Sequence, residues 1–190
     1  MSNDWIDAEG YRANVGIILM NSDKRLMLGR RIDSKGWQFP QGGMMQGEEP
    51  VEAMFRELFE EIGLIETDVE VLGVTGDWLR YELPDKFIRR NSKPLCIGQK
   101  QHWFLLRLLS GNSAIRFDQC DEPEFDRVRW VDFWCPVNEI IYFKRRVYAR
   151  ALYELGHSVH PEGLPERPRS WPKSWISAFD KDIFELEDKS

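Results

Sequence analysis

The stretch Gly42-Gly43-Met44-Met45-Gln46-Gly47-Glu48-Glu49-Pro50-Val51-Glu52-Ala53-Met54-Phe55-Arg56-Glu57-Leu58-Phe59-Glu60-Glu61-Ile62-Gly63-Leu64 decides the reading of this chain. Pro50 suits a first helical turn, where its missing N–H costs nothing. The residues from Val51 to Ile62 are mostly good helix formers, and Gly63 suits the left-handed position past a helix end. In that frame Glu57 and Glu61 lie one turn apart and Glu60 lies beside them. Like charges at this spacing repel by a few tenths of a kcal/mol each, roughly, and a cation would remove the penalty. Carboxylate oxygens suit Mg²⁺ or Mn²⁺, which bind through one or two carboxylates, water and substrate phosphate.

An acidic cluster on a helix is ordinarily a solvated face. The joint spacing of Gly42, Glu48, Arg56, Glu57, Leu58, Glu60, Glu61, Gly63 and Leu64 argues otherwise. It resembles the signature of the Nudix hydrolases: Gly, five residues, Glu, seven residues, Arg-Glu, an apolar residue, any residue, Glu-Glu, any residue, Gly, an apolar residue. The resemblance implies an α/β/α sandwich with a mixed sheet and a catalytic loop–helix–loop. It implies hydrolysis of a nucleoside diphosphate linked to a further group, by water attack at phosphorus. Glu57, Glu60 and Glu61 would be the ligands of Mg²⁺, with Mn²⁺ or another divalent cation as substitute. Glu48 and Arg56 would hold the loop to the helix, and Gly42, Gly43 and Gly63 would be structural.

Segments outside this motif narrow the resemblance to one branch. Gly10-Tyr11-Arg12-Ala13-Asn14-Val15-Gly16, Trp37-Gln38-Phe39-Pro40-Gln41, Asn91 to Gln101, Pro123-Glu124-Phe125-Asp126 and Phe143-Lys144-Arg145 are similar to the bacterial RNA pyrophosphohydrolases, long described as diadenosine polyphosphate hydrolases. By that resemblance the substrate is single-stranded RNA with a 5′-triphosphate or diphosphate end. The product is a 5′-monophosphate end, which opens the transcript to decay. Dinucleoside polyphosphates are the alternative substrate, and a noncatalytic nucleotide-binding module is a third reading. Glu124 matches an acidic residue that binds metal or acts as base. Arg12 and Arg31 match basic residues near the phosphates, although the Arg30-Arg31 doublet leaves open which side chain points inward. Phe143 and Lys144 match a cleft for the second base and its phosphate, and Gln99 a contact to a base edge. By residue type alone, Phe143 would be core beside Ile140 and Ile141. The chain departs from the branch at Ala13, Gly36 and Met44-Met45-Gln46.

A net charge of -6 counts against nonspecific nucleic-acid binding, which needs Lys and Arg. Several of the acids belong to the motif, and basic residues gather locally at Lys86, Arg89, Arg90 and Lys93 and at Lys144, Arg145 and Arg146. Those clusters are either solvated faces or a groove for the first nucleotides of a single strand. Cys96, Cys120 and Cys135 have no metal-ligand spacing and fit reduced thiols of a cytoplasmic protein. No export signal or membrane-length apolar run is expected, and a protein activator is left open.

Alternation and turn residues predict strands over 14–20, 25–29, 69–75, 78–82, 100–109 and 127–133, and helices over the motif, 136–142 and 144–155. Residues 84–94 read as a polar, basic loop. The hydrolase domain is assigned to 1–157. Four prolines and charged neighbours make 158–190 a weakly structured or docking extension. Its apolar residues Trp171, Trp175, Ile176, Phe179, Ile183 and Phe184 could form a short docking helix.

Overall fold

The computed structural model of the chain describes residues 5–91, 93–172 and Trp175. The tail positions Ile176, Phe179, Ile183 and Phe184 lie outside the described residues.

A mixed sheet is built around two long strands, β1 (Tyr11–Met20) and β7 (Gly98–Leu108). They run parallel, in register from Tyr11 opposite Gly98 to Met20 opposite Arg107. On one flank β2 (Leu26–Arg31) hairpins back from β1 and pairs with β3 (Trp37–Gln38) and β8 (Phe125–Val131). Asn21 closes that hairpin by accepting the N–H groups of Asp23 and Arg25 on its side chain, as an Asx turn does. Strand β4 (Gln41–Gly43) pairs antiparallel with β1. On the other flank β5 (Val69–Val74) and β6 (Leu79–Glu82) pair antiparallel with β7.

Both faces are covered, so β1 reads as a nearly continuous buried run from Ala13 to Met20. Period-two alternation divides it. Ala13, Val15, Ile17 and Leu19 face α1 (Pro50–Ile62) with Phe104 and Leu106, packing on Ala53, Met54, Leu58 and Ile62. Ile18, Met20, Trp103 and Leu105 face α2 (Cys135–Glu139) and α3 (Arg145–Gly156), packing on Val137, Tyr148, Leu152 and Leu155. The result is the α/β/α sandwich. No helix among the described residues is long and apolar enough to cross a membrane.

The second helix differs from expectation. It ends at Glu139, where Ile140 turns to extended backbone (φ -75°, ψ 154°) and buries its side chain. Arg145 then reaches back and donates to the carbonyls of Asn138 and Ile140, satisfying a helix end that chain continuation would have covered. Tyr142–Lys144 forms a separate 3₁₀ turn before α3. Lys144 therefore precedes the helix that was expected to begin with it.

The described part of the C-terminal segment packs on the α2/α3 face. Val159 and Trp171 are buried there, Trp134 donates its indole N–H to the Pro165 carbonyl (2.7 Å), and Lys24 donates to the Val159 carbonyl (2.8 Å).

Tyr148 ties α3 to the chain entering the motif. Its buried ring stacks on Phe39 (5.0 Å) and meets Trp103 edge-on (5.0 Å), and its hydroxyl accepts the Phe39 N–H (3.2 Å). Tyr148→Phe leaves that N–H unpaired in the core. It is expected to cost about 1–2 kcal/mol, a Tm lower by roughly 3–8 °C in a thermal melt.

Candidate active site

Helix α1 starts with Pro50 in its first turn and with the Glu49 N–H donating to the Glu52 carboxylate (3.1 Å). It ends at Gly63, whose φ of 71° is left-handed and whose N–H returns to the Phe59 carbonyl (2.9 Å). Its inner face carries Ala53, Met54, Leu58 and Ile62, and the same stripe carries Glu57 and Glu61, at 8% and 5% exposure. The helical period that buries the apolar residues thus drives two carboxylates into the protein.

Arg56 holds the assembly. Its Nε and Nη2 donate to the two oxygens of Glu48 (2.8 and 2.9 Å), and Nη2 also donates to the Gly43 carbonyl (2.8 Å). Nη1 donates to Glu57 (2.6 Å) and reaches the more exposed Glu60 (3.4 Å). Glu48 accepts the Met45 N–H as well (2.8 Å), so the loop is fastened to the helix at several points. The Arg56 guanidinium holds the Glu48 carboxyl below its usual range.

Glu57 and Glu61 behave oppositely. Burial pushes both upward, Glu61 well above its ordinary value. Repulsion from Glu124 and from Glu57 adds to the shift of Glu61, and the Gln41 N–H donating to its Oε2 (3.0 Å) offsets little of it. Gly42 matters through what it lacks. A Cβ there would overlap the Glu57 carboxylate, so only glycine leaves that carboxylate in place.

Among the described residues no three His, Cys, Asp or Glu side chains are drawn together as a ligand group. The donor set nonetheless fits a hard divalent cation: buried carboxylate oxygens in mutual repulsion, only one of them neutralised by Arg56. Gly42→Ala should displace Glu57 and weaken Mn²⁺ binding about tenfold or more, measured by calorimetric titration. Affinity equal to the parent's would contradict this.

The two arginines of the doublet take different partners. Consecutive strand residues point to opposite faces, and the β2–β8 register shifts between Arg30 and Arg31. Arg30 pairs with Asp126. Arg31 pairs with Asp33 (2.7 Å) and with Glu124 (3.2 Å), the acidic residue outside the motif.

The remaining positions lie along the sheet face under α3. Arg12 on β1, Gln99 on β7 and Tyr81 on β6 are cross-strand neighbours in one row. The Tyr81 hydroxyl donates to Gln99 Oε1 (2.5 Å), and burial raises its pKa, so the group stays a donor. Lys144 Nζ lies over the Tyr81 ring (5.6 Å). Burial lowers the Lys144 pKa to about 8, with repulsion from Arg31 and Arg12 assisting and Glu124 and Glu61 opposing. Lys144 thus feels the charges of Arg12, Arg31, Glu61 and Glu124. Phe143 is half-buried against the core and also borders this cleft. A cavity of about 590 Å³ near Lys24, Asp132, Trp134 and His160 contains none of these residues.

Sequence reasoning passed over Tyr81, Asn14 and Gln101. Asn14 and Gln101 are buried and opposite one another in the next row inward. Among the described residues neither Gln101 amide atom nor Asn14 Oδ1 has a hydrogen-bond partner. Extending the period-two pattern inward from Gln99 finds Gln101; Tyr81 needed the β6–β7 register.

The profile of the NUDIX domain matches residues 10–155. An RNA pyrophosphohydrolase of Alkalilimnicola ehrlichii is 56% identical over 163 residues, 86% of this chain and 90% of the relative. One of Thioalkalivibrio sulfidiphilus is 54% identical over 164 residues, 86% of this chain and 95% of the relative. Among solved structures, the E. coli dihydroneopterin triphosphate pyrophosphohydrolase superposes with a TM-score of 0.59 at 19% identity, covering 74% of this chain and 91% of that one. A C. elegans Ap4A hydrolase binary complex gives a TM-score of 0.58 at 14% identity, covering 78% and 98%. At those identities the likeness is one of fold.

Proposed function

This chain belongs to the NUDIX family, whose members hydrolyse phosphoric anhydride bonds, and from that premise we propose that it converts 5′-triphosphate or diphosphate RNA ends to 5′-monophosphate. In the cytoplasm this would commit transcripts to decay. The observation that carries the reading is the convergence on Lys144. Its Nζ lies 5.6 Å from the ring of Tyr81, which shares a row of the sheet with Gln99 and Arg12, and the charges of Arg31, Glu61 and Glu124 act on it.

Glu57, Glu60 and Glu61 would hold the divalent cations, Mg²⁺ by preference, with Glu124 as a further ligand or as base. Bound there, such cations polarise phosphoryl oxygens and acidify water. The residues do the rest. Arg12 and Lys144 bind the phosphate chain, and Arg31 keeps Glu124 at the rim through its ion pair. Glu124 or a motif glutamate takes the proton of the attacking water as its oxygen bonds to phosphorus. The anhydride P–O bond breaks and a phosphate or pyrophosphate leaves. Gln99, oriented by Tyr81, contacts a base edge, and Phe143 supports the base. Arg12 offsets charge that grows on the phosphoryl oxygens.

The test is turnover of a short 5′-triphosphate RNA with Mg²⁺, scored by appearance of the 5′-monophosphate end. Activity in the parent and its loss in a folded Glu57→Gln variant are expected. A parent inert on RNA ends would sink the proposal. Lys144→Met should raise KM about tenfold with a smaller change in kcat, because it removes a charge met by substrate before and during reaction. Lysine must be protonated to bind phosphate, so kcat/KM of the parent should decline above pH of about 8. That decline should be absent in Lys144→Met.

A further inference from the structure

Phe143 is half-buried, and three rings pack on it. Tyr81 packs on it at 5.8 Å, Phe87 at 5.3 Å and Tyr142 at 5.4 Å between ring centroids. The open rings are its two outer neighbours: Phe87 is 41% exposed and Tyr142 56% exposed. They come from separate segments, the loop after β6 and the 3₁₀ turn before α3, and both pack on Phe143. The Lys86 ammonium lies 5.0 Å over the Phe87 ring. Arg89, Arg90 and Lys93 follow, all exposed, in a chain that is net acidic. Asp85 is the acid beside them, paired with Arg90 at 3.4 Å.

Exposed rings interleaved with cations, packed on Phe143 next to Lys144, are the chemistry of a single-strand platform. Rings stack on any base, and the cations meet the phosphates between bases. We propose that Phe87 and Tyr142 form a further nucleotide subsite, stacking an RNA base beyond those held at Gln99 and Phe143, with Lys86 and Arg89 facing the connecting phosphate. This rests on the RNA reading above and extends it: the enzyme takes an unpaired 5′ segment longer than two nucleotides, with little sequence preference at the added position. A hydrophobic peptide could also cover two rings, but it would make no use of the cations or of the adjoining cleft.

The test compares kcat/KM on unpaired 5′-triphosphate RNAs of two and of five nucleotides, with Mg²⁺, in the parent and in Phe87→Ala, Tyr142→Ala and Tyr142→Phe. The parent should favour the longer RNA. That advantage should shrink roughly five- to tenfold on loss of either ring and persist in Tyr142→Phe. Lys86→Ala should flatten the salt dependence of binding of the longer RNA by about 0.7 in log–log slope. If Phe87→Ala loses its cooperative melt, Phe87→Leu keeps the apolar contact with Phe143 and carries the same comparison. A parent indifferent to length, or an advantage unchanged in the variants, overturns this subsite while leaving the RNA reading intact. A parent that hydrolyses neither RNA overturns both.

Discussion

Glu61→Gln is expected to melt higher than the parent without divalent cations, by roughly 3–8 °C, and to lose turnover at least about a hundredfold with them. Burial is the main reason Glu61 resists ionisation, and Glu124 and Glu57 add repulsion. Without divalent cations the fold therefore disfavours the ionised form of Glu61. Glutamine removes the charge and keeps an acceptor for the Gln41 N–H. The gain is about 1–3 kcal/mol. The pH dependence has a definite sign. Below the ordinary carboxyl value of 4.5, Glu61 is protonated whether folded or not and no penalty exists. As pH rises through the elevated folded value, the unfolded chain ionises more readily than the folded one, and stability is lost. His102 and His160 are held below their ordinary values and work oppositely under pH 6.5, so the informative quantity is the difference between parent and variant. That difference should widen from pH 5 to pH 8. A Glu61→Gln protein less stable than the metal-free parent at pH 8 would contradict the account.

Arg56→Met should go the other way. Arg56 is the shared partner of Glu48, Glu57, Glu60 and the Gly43 carbonyl. Removing it leaves buried acceptors and uncompensated charges, at a cost of about 3–5 kcal/mol and a Tm lower by about 10 °C. Lysine should restore little, because a single ammonium cannot reproduce the fork that grips both Glu48 oxygens and the carbonyl together. Excess Mg²⁺ should recover part of the loss by neutralising Glu57 and Glu60. A melt within a degree or two of the parent's would mean the network is surface ornament.

The motif helix was legible because its signals agree: proline at the first turn, apolar residues at helical spacing, glycine at the left-handed end. The same spacing placed Glu57 and Glu61 on one face. It could not tell that this face is the buried one, nor that Gly42 is there to clear the Glu57 carboxylate. Strands β3 and β4 are two and three residues long, too short for alternation to show. The ion pair of Arg31 with Glu124 joins residues nearly a hundred positions apart, which no local pattern shows. The end of α2 depends on Arg145 reaching its carbonyls, which no local propensity encodes. Gln101 follows from extending the period-two pattern past Gln99, whereas Tyr81 became visible only once the β6–β7 register was known. In the proline-rich segment, Trp171 signalled burial, but the surface receiving it did not follow from composition.

The most direct test of the central claim is a side-by-side measurement of kcat/KM, with Mg²⁺, on a short 5′-triphosphate RNA and on a diadenosine polyphosphate. The account predicts that RNA is the better substrate, with 5′-monophosphate RNA as product. A clear preference for the dinucleotide would contradict it, making the basic and aromatic residues beside the cleft plain surface and the protein a nucleotide-clearing hydrolase.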